Sequence, residues 1–146
     1  MYRNDQHQRL VVGQSSSAGF RGDVERRVFA RMLVRRRRVL PSRAAFELAM
    51  VMHHGTSLRD MHMANLFVEV AIKKAHPKAR WLSAAIFDRG RILSKRPQYY
   101  GTQFARDQNS GMLHLHPVDG KCTDSERIEL GLNTLAEIEA ALASAS

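Results

Sequence analysis

The sequence predicts a mainly α fold: antiparallel helix pairs in a repeat-like helical bundle, with one C-terminal β-hairpin and two short terminal helices. Three observations predict it. Apolar residues recur at helical spacing between Val24 and Leu93. The stretches "SLRD", "TDSE" and "TLAE" each read as a capping box at a helix start. After Pro97 the texture changes to β-rich runs around a turn-rich linker.

Each element follows in order. The chain has 146 residues, one domain's worth, and can bury roughly two thirds of its unfolded surface. It reads as a single domain, 1–146. Residues 1–21 form an N-terminal segment and a flexible connection, because "GQSSSAGFRG" is rich in Gly and Ser. The helical core spans 22–95, the hairpin 96–120 and the terminal helices 121–146. Asp23 can cap a first helix beginning near Val24, with Val24, Val28 and Met32 on one stripe. It runs to about Arg38, and Pro41 stops it. Ser42 can cap a second helix over 43–54, apolar on more than one face and therefore central. Gly55 suits the left-handed residue that ends helices. The third helix runs from Ser57 to about Ala75. Pro77 suits the first turn of a fourth, ending near Leu93. Alanines 64, 71, 79, 84 and 85 let helix axes approach closely. "QYYGTQFA" and "MLHLHPV", joined by "RDQNSG", predict a hairpin that must pack on the helices to be stable. Gly131 separates two short helices, about 124–130 and 135–143.

Charge narrows the function classes. The formal net charge is +9, but residues 1–43 carry 11 arginines against 3 acids, whereas 44–146 are nearly balanced. The excess centres on Arg35 to Arg38 and reads first as a solvated helix end. Phe29 is the only aromatic between Arg21 and Arg43, too few for stacking on bases, so nucleic acid is not the expected partner. No run approaches the ~20 apolar residues of a membrane helix. The polar start "MYRNDQHQRL" lacks a signal-peptide core, so cytoplasmic residence is expected and no membrane partner is. An oligomer is compatible with the sequence. Cys122 is the single cysteine, which rules out an intrachain disulfide. Its place before a helix start would lower its pKa.

Several polar residues stand out. On the fourth helix Asp88 shares an apolar stripe with Trp81, Ala85 and Ile92, and Arg89 adjoins Leu82, Ile86 and Leu93. A charge so placed needs a partner. It is either half of an ion pair tying this helix to the hairpin, or a carboxylate tuned for acid–base work. His53 and His54 end the second helix, where a histidine can cap, pack, serve as a base or ligate metal. His114 and His116 share one strand face, but no acid stands beside any of these histidines at zincin spacing, so no metal is expected. No phosphate-binding loop, dinucleotide fingerprint or serine elbow is present, and no cofactor is expected.

The motifs also follow a familiar order: "DQHQR" at 5–9, "HHG" at 53–55, "ARWLSAAIFDR" at 79–89, "PQYYGTQF" at 97–104 and "TDSERIELGLNTLAEI" at 123–138. Over nearly its whole length the chain resembles a bacterial family catalogued only as a domain of unknown function. That family's pattern is Asp-Gln-x-x-Arg, Gln-His-Gly, Asp-Arg, Pro-Gln-x-Tyr/Phe-Gly-Thr-Gln and Asp-x-x-Arg-x-x-x-Gly-Leu. The resemblance implies a shared polar cluster, carried here by Asp5, Gln6, Arg9, His54, Asp88 and Arg89. Gln98, Tyr100, Gly101, Thr102, Gln103, Asp124 and Arg127 complete it. It implies no reaction. His53 stands where the family usually has Gln, which sets it apart from the shared residues.

The function expected from these residues is a small cofactor-independent acid–base enzyme of hydrolase, lyase or isomerase type, acting on a small metabolite. His54 or Asp88 would exchange the proton. Arg89 and Gln103 would hold an anion or carbonyl oxygen, and Tyr100 would donate a hydrogen bond. Asp5, Arg9, Gln98 and Thr102 would bind substrate. The alternative is a non-catalytic helical binding module whose Asp/Arg/His/Gln cluster is structural. Strict strand alternation would put Tyr100 and Gln103 on opposite faces, so the enzyme reading requires a bend at Gly101 that turns both toward Asp88 and Arg89.

Overall fold

The computed structural model describes residues 17–144, with side chains from residue 24 onward, residue 26 excepted. The fold is mainly α with a small two-stranded antiparallel sheet. Helix α1 spans Ser17–Leu33 and continues as a 3-10 helix over Val34–Val39. It begins well before Val24, so residues 17–21 belong to a helix and not to a flexible connection. Gly19 and Gly22 each cost about 1 kcal/mol against alanine in a helix. The tightening at Val34 leaves Arg37 Nη1 donating to the Val34 carbonyl at 2.9 Å. The ring of Pro41 then forces Leu40 into an extended conformation, ψ 140°, and ends the segment.

Helix α2 covers Ser42–His53, with Pro41 in the capping position ahead of Ser42. Helix α3 covers Leu58–Lys73 and α4 Ala79–Leu93. Ser57 and Asp60 make the expected capping box. Asp60 also accepts from Arg31 Nη2 at 2.9 Å, which ties α1 to the start of α3. Gly55 ends α2 without a left-handed φ, contrary to the expectation. Its glycine is required by space: a Cβ would lie 2.3 Å from the Cβ of Asp60. The core lies where α2, α3 and α4 meet. Ala45, Ala49, Ala64, Ala71 and Ala79 are fully buried with Met52, Phe67, Val68 and Leu82. The alanines bring the helix axes together, and the large residues fill the space between them.

The sheet is shorter than the sequence suggests. Strand β1 is Phe104–Arg106 and β2 is Leu113–Leu115, paired Phe104 to Leu115 and Arg106 to Leu113. "QYYGTQ" is loop, apart from an isolated bridge between Gln98 and Val118. Helix α5, Asp124–Glu129, starts at the Thr123–Glu126 capping box. Helix α6, Leu135–Ser144, follows a left-handed Gly131. Thr134 and Glu137 bond each other's backbone amides at its start. Among the described residues no helix is long and apolar enough to cross a membrane.

Candidate functional site

Helix α4 carries Asp88 and Arg89 in sequence but serves two different surroundings. Asp88 is fully buried, and among the described residues its partners are not cations. Oδ1 accepts the backbone N–H groups of Tyr99 at 2.7 Å and Tyr100 at 2.9 Å. Oδ2 accepts the Thr102 N–H at 3.0 Å and the Thr102 hydroxyl at 2.8 Å. The anticipated ion pair to the hairpin is therefore absent, and a loop folded around the carboxylate takes its place. Gly101 makes that loop at φ +85°. A side chain there would be strained, and its Cβ would press on Leu135 of α6 at 3.3 Å.

The same loop is held from two more sides. Gln98 is fully buried and its amide bridges both strands' approaches. Its Nε2 donates to the Gln103 and His116 carbonyls, and its Oε1 accepts the Gln103 N–H at 2.8 Å. Arg127, 1% exposed, donates from Nε to the Tyr100 carbonyl and from Nη1 to the Cys122 carbonyl, both at 2.9 Å. Asp88 and Gln98 thus bond mainly to backbone. Arg127 bonds two carbonyls and Asp124, while its buried Nη2 has no partner among the described residues. The group reads as a structural network built on main chain. Neither carboxylate oxygen of Asp88 faces solvent, so Asp88 is not placed for proton exchange with a ligand.

Arg89, the next residue, is only half-buried. Its Nε donates to the Gly55 carbonyl at 3.1 Å, and no carboxylate pairs with it among the described residues. Burial lowers its pKa. One turn earlier on the same helix side, the Ala85 carbonyl accepts from Gln103 Nε2 at 3.3 Å. That amide also lies 3.4 Å from His53 Nε2. The His53 and His54 rings meet edge-on, 5.4 Å between centroids, with His53 buried and His54 exposed. From the hairpin, the His116 N–H bonds the Gln103 carbonyl at 3.1 Å. Burial, together with the charges of His114 and Arg89, pushes the His116 pKa down and favours its neutral form. Arg89, Gln103 and the imidazoles of His53, His54 and His116 therefore gather around the end of α2.

The bend at Gly101 exists, but Tyr100 and Gln103 part company across it. Tyr100 packs edge-on against Phe87, 5.8 Å between ring centroids, and lines a groove on the far side of α4. Burial raises its phenol pKa. Asp5 and Arg9 lie outside the described residues. His53 and His116 were discounted on sequence grounds. The hairpin register would have found His116, since pairing Phe104 with Leu115 sets Gln103 against His116. Cys122 is buried, and burial raises its pKa in place of the lowering expected before a helix start. No cluster of three metal-ligating side chains occurs among the described residues. Comparison with family models, curated proteins and solved structures finds no match to this chain.

Proposed function

We propose that the protein is a small cofactor-independent acid–base enzyme acting on an anionic small metabolite, of hydrolase, lyase or isomerase type. Arg89 and the Gln103 amide hold the anion or a carbonyl oxygen, and the imidazoles of His54, His53 and His116 exchange the proton. The observation that carries this reading is Arg89 itself: a half-buried guanidinium with one bond to a neutral carbonyl and no carboxylate among the described residues. Leaving such a charge uncompensated costs stability, and an anionic ligand would supply the missing partner. A neutral His116 beside it is suited to accept a proton near neutral pH.

A second reading has an observation of its own. Asp88 is consumed by four donors, so among the described residues no carboxylate is left at the Arg89 cluster to work with the imidazoles. That favours an anion-binding helical module without turnover. Thermal-shift screening against small carboxylates and phosphorylated metabolites tests both. A saturable stabilisation lost in Arg89→Gln supports the site, and proton NMR of each hit then reads turnover. Binding without turnover leaves the module alone standing. No Arg89-dependent stabilisation by any anion in the panel overturns both.

A further inference from the structure

A groove of about 830 Å³ runs between α3 and α4 on the side of α4 away from Arg89. At 100° per residue, Arg80, Ser83, Phe87, Arg91 and Ser94 share its wall, whereas Ala85 and Arg89 face the other way. Three of the large apolar side chains that the protein leaves exposed line it: Leu58 at 54%, Ile72 at 38% and Phe87 at 50%. Ala84 and Gly90 lie in its lining, and Tyr100, held by Asp88 and Arg127, borders it beside Phe87.

Shape and charge select the occupant. The lining on α4 runs from Arg80 to Ser94, about 21 Å at a helical rise of 1.5 Å per residue. The groove is open along that length, whereas a metabolite site encloses most of its ligand. Arg91 is already held, its Nη2 on Asp119 at 2.8 Å and its Nε on the Pro97 carbonyl. Arg80 and Arg96 are exposed, one toward each end, and among the described residues neither has a side-chain partner and Glu129 is the single acid in the lining. A mixed polar and apolar trough about four turns long, with exposed Leu58, Ile72 and Phe87 and a cation toward either end, matches an acidic amphipathic helix whose apolar stripe would cover those three side chains. We propose that this groove docks an acidic amphipathic helix of a partner protein. The site is separate from the Arg89 cluster and stands or falls independently of it.

The test uses the full chain and a fluorescein-labelled peptide of leucine and glutamate, about 16 residues long to fill the groove. The leucines recur at i, i+3, i+4 and i+7. Controls are a scrambled peptide of the same composition and one with lysine in place of glutamate. The expected result is saturable anisotropy with the striped acidic peptide, weaker by about tenfold for the scrambled one. Phe87→Asp should weaken binding by about tenfold, since it puts a charge in the centre of the trough. Arg80→Glu combined with Arg96→Glu should weaken the acidic peptide and favour the lysine one. Both arginines are exposed, so that variant keeps its fold if Phe87→Asp does not. Three results would each overturn the proposal. One is no binding, and another is equal binding of the scrambled peptide. The third is a wild-type dimer by sedimentation that Phe87→Asp dissociates, because a second copy would then be the occupant.

Discussion

Asp88 and Arg89 are neighbours in sequence and opposites in surroundings. Asp88 is sealed, with four donors on two oxygens. Arg89 is half open, with one acceptor for a whole guanidinium among the described residues. In sequence both are charges beside apolar stripes of one helix. The difference teaches that hydrogen-bond satisfaction, more than residue type, separates a structural polar group from a candidate ligand group. The Asp88 side holds the loop and the C-terminal helices on the bundle. The Arg89 side has capacity left over.

The sharpest way to break this contrast is Asp88→Ala. It strands three backbone N–H groups and a hydroxyl, and should cost about 3–5 kcal/mol in urea unfolding. A loss below about 1 kcal/mol would mean that the loop does not depend on the carboxylate. Next comes Arg127→Met, which leaves the Tyr100 and Cys122 carbonyls without their donor. About 2 kcal/mol is expected by the same measurement. Gly101→Ala probes the turn that lets the loop close, and should cost about 1–2 kcal/mol through its positive φ. Arg89→Gln inverts the pattern. Its stability change should stay within about 1 kcal/mol, because only one bond to a partly exposed carbonyl is lost, while any anion-induced shift of melting temperature should vanish.

The smallest effect is in pH. His116 has a lowered folded pKa, first through burial, and so does His76. The unfolded chain then takes up protons before the folded one does. Stability from these groups is complete above the unfolded value near 6.5 and is lost as pH falls through their folded values. Melting temperature should therefore decline between about pH 7.5 and 5.5, and less so in His116→Gln. Glu126, held low by the Thr123 N–H and hydroxyl, loses its share only in more acidic solution, so the two windows separate.

The capping boxes were legible because their bonds close within three residues, and Thr123–Glu126 forms as written. The bundle was legible from its periodicity for the same reason. What escaped depends on distant contacts. Gly55 was read as a left-handed stop, yet its constraint comes from Asp60 pressing on the site of a Cβ. Asp88 was recognised as a buried charge in need of partners, but those partners are main-chain amides, which no side-chain pattern announces. His53 is buried near the end of α2. Its approach to Gln103 required knowing how the hairpin docks. The sequence joins Tyr100 and Gln103 in one site only through a bend at Gly101, and the loop sends them to opposite sides of α4.

The central claim is that solvent-accessible polar capacity lies on the Arg89 side of α4, whereas the Asp88 side is sealed. Heteronuclear NMR during titration with phosphate and with citrate tests it most directly. The Arg89 Nε–Hε and His116 ring signals should shift saturably, the Tyr99 and Thr102 amides should stay in place, and Arg89→Gln should abolish the response. Shifts centred on the Tyr99 and Thr102 amides, with Arg89 and His116 unmoved, would contradict it.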